Sequence, residues 1–396
     1  MLPTTTTYGC FDINCSPRHV EIKAERSRRK CTPRDRLSAI VISNDFFTPT
    51  RRPALSTVTI TDVAKHVGVS VATISRHLSG FTVRNEERIR QAIIELNYRP
   101  SAAARNLKSG RTGIIAIVVP DITNPFFASI VEGAEGAVGE DRMILLVNTG
   151  DSRQREEKAL SQLFGRVDGV IMAPLTEDED GPSFFSQFGL PIVFVDRVTQ
   201  DGEKFSTALT DNSKGASIAV NHLIGLGHRK IAMISGPLST TPGRKRADGF
   251  KASLKKSDLA CEYFIESDFS EEGGYAAMCA LLEYNDAPTA VFVANNLMTI
   301  GALHALRDRG VQVPDQISII GFDDLDFAEL INPPLTVIAR DARLQGALAM
   351  ELMIKQLTTG ASTPTEHSMV DVQLIERGSC APPREMQTIA FNKVNR

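Results

Sequence analysis

The sequence predicts a small all-α head followed by a larger, two-lobed α/β body, and three observations carry that reading. Three short helix patterns fall between residues 58 and 100, with their own start and stop signals. From residue 113 onward, Val/Ile-rich runs alternate with amphipathic stretches, the pattern of parallel sheets covered by helices on both faces. About 280 residues follow the head, more than one such core holds, so the body divides into two lobes.

The head opens at Val58. Thr59 is placed to cap a helix, with Asp62 three residues on in a capping-box arrangement. Val63, Ala64 and Val67 form an apolar stripe at helical spacing, and Gly68 ends the helix as a C′ residue does. Ser70 caps a second helix with Thr73, Ile74 and Leu78 on its inner side. A third runs from about Glu86 to Leu96, with Ile89, Ile93 and Leu96 inward, until Pro100 stops it. In the body the expected strands are 114–119, 143–147, 169–173, 192–195, 231–235, 290–294 and 317–321. Helices such as 126–138, 154–164, 214–226 and 298–309 lie between them.

The segment TDVAKHVGVSVATISR (61–76) has the mechanics of a helix-turn-helix. A small residue, Ala64, lets the second helix pack closely, Gly68 makes the turn, and Ser70 starts the next helix. That helix exposes Val71, Ala72, Ser75 and Arg76. Arginine suits guanine, and the Val and Ala methyls suit the thymine methyl group. With VTITDVAKHVGVSVATISRHLSG (58–80), YRPSAAARNLK (98–108), VPDITNPFF (119–127), RVDGV (166–170), GHRKI (227–231) and IIGFDD (319–324), the chain resembles the LacI/GalR-type bacterial transcription regulators over about 58–378. His77 and Ser79 depart from the Val and Asn usual in that head.

The resemblance implies a periplasmic-binding-protein-like body joined to the head by a hinge helix. Residues 56–100 are then the helix-turn-helix domain, 101–112 the hinge helix and linker, and 113–378 the effector-binding and dimerisation domain. The first lobe takes about 113–210 and 340–372, the second about 211–339, with a C-terminal tail at 379–396. It also implies a DNA-binding set of Thr59, Ser70, Val71, Ala72, Thr73, Ser75 and Arg76, extended in the hinge by Arg105, Leu107 and Lys108. Leu107 is the residue that wedges between base pairs in the minor groove. Residues 101–108 are short, Ala-rich and lack an apolar face wide enough to fold alone. The unit is expected to be a homodimer on a near-palindromic operator. No leucine heptad occurs in 381–396, so the resemblance implies dimers, not tetramers.

A two-lobed α/β body takes its ligand beyond the carboxyl ends of strands. Residues in such places that match effector-contacting positions of the family are Asn124, Phe126, Asp196, Arg246, Phe269, Asn295 and Asp323. Carboxylates and an arginine facing hydroxyls, with an aromatic to stack, suit a sugar, sugar acid or related metabolite. Phe269 stands where sugar-binding members often carry Trp, and Asn296 replaces a common Asp and is given no role. Phe126 and Phe127 are expected partly in the core. The acidic run 177–180 reads as a solvated loop, and His228 as part of a turn. Asp323 and Asp324, adjacent at a strand end, should point apart. The expected function is an allosteric transcription regulator, a repressor, with no cofactor and no metal.

Composition agrees and narrows the field. The chain has 396 residues and a net charge of −3, but residues 1–55 carry +5, 56–112 carry +5, and the rest −13. A basic front on an acidic body suggests a polyanion-binding module joined to a domain with another task. Six cysteines are too few and scattered for a disulfide framework, and the Cys10, Cys15, His19, Cys31 spacing fits no common zinc module. No apolar run of 18 residues exists and no secretory h-region opens the chain, so a cytosolic protein is expected. Residues 1–55 read either as a disordered tail or as upstream of the true start, which would lie near Leu55 or Val58. A solute-binding receptor using the same body would need an export signal. An α/β enzyme would need a P-loop, H-E-x-x-H, G-x-S-x-G or a well-placed G-x-G-x-x-G, none of which occurs.

Overall fold

The computed structural model describes residues 58–99 apart from Ser79, and 111–383 apart from 176, 178–184, 186–188, 201 and 360–363. The expected tail 1–55, the hinge residues 101–108 (with Arg105, Leu107 and Lys108) and residues 384–396 lie outside that set. Contacts divide the chain into two units, one ending at Arg99 and one starting at Pro100.

The head is three helices, α1 (Ile60–Val67), α2 (Val71–Leu78) and α3 (Glu86–Glu95). The capping box at the start of α1 is present. Thr59 accepts from the Asp62 N–H at 3.3 Å while the Asp62 carboxylate takes the Thr59 N–H at 2.9 Å. Gly68 closes α1 in the left-handed region at φ 77°, where a side chain would be strained. Val63, Ala64, Val67, Ile74, Ile89 and Ala92 form the buried core, edged by Leu78, Ile93 and Leu96. Such a core suffices for a module this small because all three helices turn an apolar stripe toward it.

The body holds two six-stranded sheets. The first orders its strands β11-β5-β4-β3-β1-β2, every pair parallel: β1 (Ile114–Val119), β2 (Met143–Asn148), β3 (Gly169–Met172), β4 (Ile192–Val195), β5 (Ser206–Thr210) and β11 (His367–Val370). Alternation along β1 sorts its side chains by face. Ile115, Ile117 and Val119 meet α4 (Pro125–Ala137) and α10 (Ala342–Thr359), while Ala116 and Val118 meet α5 (Arg153–Leu163). Where α4 and α10 cross, a methyl group on Gly133 would overlap the Arg343 carbonyl, so the two backbones touch only because that position is glycine.

The second sheet runs β12-β10-β9-β8-β6-β7, comprising β6 (Ile231–Ser235), β7 (Tyr263–Glu266), β8 (Ala290–Val293), β9 (Ser318–Phe322), β10 (Thr336–Arg340) and β12 (Val372–Ile375). Its pairs are parallel except β10 with β12. The helices α6 (Asn212–Gly225), α7 (Thr241–Lys256), α8 (Glu271–Leu282) and α9 (Asn296–Asp308) cover it around one continuous core.

Three details differ from expectation. The chain returns to the second lobe at Val372, where β12 adds an edge strand to its sheet, so that lobe takes in residues beyond the expected 211–339. Nor do residues 379–381 belong to a tail. Ser379 is buried, exchanges hydrogen bonds with Ile319 and accepts the Thr336 N–H, and the Ala381 carbonyl meets His228. Buried polar groups must be paired, and this segment supplies the partners. Third, β2 is an edge strand that leaves Met143, Leu145 and Leu146 exposed. No described helix is long and apolar enough to cross a membrane.

Candidate nucleic-acid interface and ligand cleft

On the head, α2 presents Val71, Ala72 and Arg76 to solvent, with Ser75 half-buried beside them. Three other expected contact residues spend their side chains locally. Thr59 serves the α1 cap, while the Ser70 hydroxyl accepts from the Thr73 N–H at 3.2 Å and meets the Thr73 hydroxyl at 2.9 Å. The capped start aims the first turn of α2 outward with its backbone fixed. That arrangement suits groove reading, in which short side chains near a helix N-terminus reach base edges.

The cleft of the body is a cavity of about 620 Å³ lined by all seven expected residues. Three of them are non-glycine residues in left-handed backbone just after strands: Asp196 (φ 64°), Phe269 (φ 65°) and Asp323 (φ 73°). That conformation costs on the order of 1–3 kcal/mol each and concentrates at functional sites. Two more are helix caps. Asn124 accepts from the Phe126 N–H at 3.0 Å at the start of α4, and Asn295 accepts from the Met298 N–H at 2.9 Å at the start of α9. Asn295 also donates to the Phe269 carbonyl at 3.0 Å, tying cap to strained aromatic.

Asp196 and Asp323 share one cation, Arg340 at the end of β10. Its guanidinium donates to both Asp323 oxygens at 2.6 and 3.2 Å, to Asp196 at 2.8 Å and to the Thr210 hydroxyl at 3.1 Å, and it lies 3.6 Å from the Phe126 ring centre. Burial opposes the charge on Arg340, but Asp323 and Asp196 together hold it charged more firmly than usual. At Arg246 the same two carboxylates act in the same direction but are outweighed. Its Nε donates to Asn212 at 2.8 Å, its Nη1 to the Ala294 carbonyl, and Nη2 is buried without a partner. Burial, reinforced by the neighbouring Arg340 charge, pushes its pKa down to about 9, which leaves it cationic at neutral pH. Arg197, which also lines the cavity and lies 3.6 Å from Asp151, buries an Nε with no hydrogen-bond partner.

Several contacts cross between the lobes at the cleft, and three residues on each side stand out. Arg340 reaches Asp196, Asn296 donates to Asn124 at 2.9 Å, and Glu177 accepts the Thr241 N–H at 2.9 Å and the Thr241 hydroxyl at 2.7 Å. The last corrects the solvated-loop reading at Glu177, which is buried at the N-terminus of α7, where peptide N–H groups favour a carboxylate; residues 178–180 lie outside the described set.

Residues 59–101 match the family described as bacterial regulatory proteins, lacI family, and residues 220–380 match the periplasmic binding protein-like domain. The ribose operon repressor of Escherichia coli (strain K12) is 35% identical over 330 residues, covering 81% of this chain and 99% of that protein. This chain belongs to the LacI family. The HTH-type transcriptional repressor PurR of Haemophilus influenzae (strain PittEE) is 33% identical over 81% of this chain and 98% of its own length. Among solved structures, the lac repressor dimer bound to operator and the anti-inducer ONPF superposes with a TM-score of 0.73 at 27% identity, covering 82% of this chain and 99% of that one. The LacI family is one of DNA-binding transcription regulators, and the two relatives are repressors, not enzymes.

In this LacI-family chain the sequence reading missed Arg340, Glu177 and the role of Asn296. Arg340 was findable, since the rule of looking just past strands applies to it once Thr336–Arg340 is recognised as a strand. Asp323 and Asp324 do point apart, the second to Arg377 at 2.8 Å. His228 follows its turn but is buried, bonded to Thr289, Ser318 and Ala381. Phe126 and Phe127 are both in the core of the first lobe.

Proposed function

We propose that this chain is a repressor that binds a near-palindromic operator as a homodimer and is controlled by a small molecule, a sugar, sugar acid or related metabolite, held in the interlobe cleft. The observation that carries this reading is the pairing in one chain of an outward-facing α2 with a cleft in which one nitrogen each of Arg246 and Arg197 is buried without a hydrogen-bond partner. In the head Arg76, Val71 and Ala72 read base edges, while in the hinge Arg105 and Lys108 reach phosphates or groove edges and Leu107 wedges between base pairs. Exposed apolar side chains on β2 (Met143, Leu145, Leu146) and at Phe327 and Leu330 supply surface for a second copy.

Control follows from linkage. An effector shifts operator affinity only as far as its own binding differs between two lobe arrangements. The interlobe contacts at the cleft are the groups whose making or breaking distinguishes them. The relatives support the effector class through one printed name, that of the ribose operon repressor.

The test is a gel shift with the gene's own upstream region at about 50 mM salt, where phosphate contacts are strong. The expected result is a discrete complex at dimer stoichiometry. Leu107→Ala should weaken specific binding much more than non-specific binding. Equal losses in both would remove the wedge, and no discrete complex on any palindromic site would overturn the reading.

A further inference from the structure

We propose that Asp168 is a positioning residue for operator binding. Its carboxylate clamps residues 112 and 113, where the chain coming from the head enters the body, and so fixes the point from which the hinge departs. This rests on the repressor reading above and deepens it with a group outside the cleft.

Asp168 stands just before β3, in the RVDGV stretch (166–170), which gives no residue to the cleft lining. One of its oxygens accepts the Thr112 N–H at 2.6 Å and the Thr112 hydroxyl at 2.9 Å, and the other accepts the Gly113 N–H at 2.9 Å. The Thr112 hydroxyl in turn accepts the Ile114 N–H at 3.1 Å. Hydrogen bonds to a carboxylate are shorter and stronger than neutral ones, and three on one group hold two residues in one geometry.

Sheet hydrogen bonds carry the clamp into the core. The Asp168 N–H donates to the Ile114 carbonyl at 2.8 Å, and the Met143 N–H donates to the Gly113 carbonyl at 2.8 Å. Gly113, at φ 71°, turns the chain into β1, the strand that lies between β2 and β3. The entering chain is thus fixed to neighbouring strands on both sides as its own strand begins.

A second tether lies one residue earlier. The Arg111 guanidinium donates to the Leu357 carbonyl at 2.7 Å, in the last turn of α10, where helix carbonyls lack helical partners and favour a cation. Two elements of the first lobe, β3 and α10, therefore hold the same short stretch.

The entry to a strand needs less than this, since one acceptor satisfies each free N–H. A carboxylate shared by two residues, backed by a cation on a helix end, adds a fixed position. Specific binding by a dimer requires such a position, because two heads must meet half-sites at a set spacing, and a wandering exit point costs entropy. Non-specific binding rests on phosphate contacts in any register and requires no such placement.

The experiment compares gel shifts of the full-length chain and its variants on two duplexes, the gene's own upstream region and a scrambled one of equal length. Asp168→Asn keeps the shape but turns one acceptor into a donor facing donors. It should weaken binding to the upstream region about 10-fold or more, and to the scrambled duplex less than about 2-fold. Thr112→Val removes only the hydroxyl link and should act the same way at about 3-fold, which keeps the test standing should Asp168→Asn fail to fold. Two glycines inserted between Gly110 and Arg111 should weaken specific binding of the wild type, yet weaken that of Asp168→Asn little further, because its exit point is already loose. Additive losses would make Asp168 a stability residue only. Equal losses on both duplexes overturn the proposal too. A wild-type complex that the variants leave unchanged sinks only the clamp, whereas a wild type that forms no discrete complex sinks the repressor reading and the clamp with it.

Discussion

The head and the body both depend on arginine, and they use it in opposite ways. Arg76 stands exposed on α2, with its charge in water and its conformation free. Arg340 and Arg246 are buried in the cleft, stacked on Phe126 and Phe322 and fixed by hydrogen bonds. An exposed guanidinium contributes little to stability and is available for recognition. A buried one is part of the scaffold whether or not a ligand comes. The two regions should therefore separate cleanly under mutation, one losing specificity and the other losing the fold.

The widest gap is expected from Arg340→Ala. It leaves Asp196 and Asp323 buried without their cation, which should cost the body about 3–5 kcal/mol. A urea midpoint followed by near-ultraviolet signals measures this. A change within about 0.5 kcal/mol, that of an ordinary surface substitution, would erase the contrast. Arg76→Ala comes next: a loss of about 1–3 kcal/mol of preference at one half-site base, with the melting temperature unchanged. Uniform weakening over all sequences would instead make Arg76 a phosphate contact.

The smallest effect sharpens the comparison inside the body. Burial pushes the Glu177 carboxyl above its ordinary 4.5, against the pull of Thr241, Arg197 and Arg244. The folded chain thus keeps that proton to higher pH than the unfolded chain, and stability falls as pH rises through the window above 4.5. Glu177→Gln keeps an acceptor for the Thr241 N–H and removes the buried charge. Its melting temperature should vary less with pH across that window and should not drop at pH 7. A slope equal to that of the wild type would mean the carboxylate is not an energetic element of the lobe contact.

What could be read from the sequence follows the range of the interactions. The head was legible almost to the residue because its determinants are local: Thr59 with Asp62, Ser70 with Thr73, and the left-handed Gly68 all act within a turn. Central strands such as β1, β4 and β6 were legible because both their faces are apolar. Strands β11 and β12 are sheet edges, and β5 and β10 mix in polar residues, as in Ser206–Thr210 and Thr336–Arg340, so they gave no such run. In the cleft, the candidates flagged by position after strands all line the cavity. The group that joins them, Arg340, finds its partners 17 and 144 residues away, a distance that periodicity cannot span. Glu177 misled for the same reason: its neighbours in sequence are acidic, while Thr241 is 64 residues off.

The short segment from His367 to Ile375 supplies the last strand of both sheets, β11 beside β5 and β12 beside β10. Seen from the ribosome, neither lobe can be finished until almost the whole chain has been made. The head is complete by residue 99. At about 5–20 residues per second, the wait between them is on the order of ten to fifty seconds. Every molecule therefore passes through a stage in which its three-helix head is complete and neither lobe of its body is. A message truncated before codon 367 would make that stage permanent.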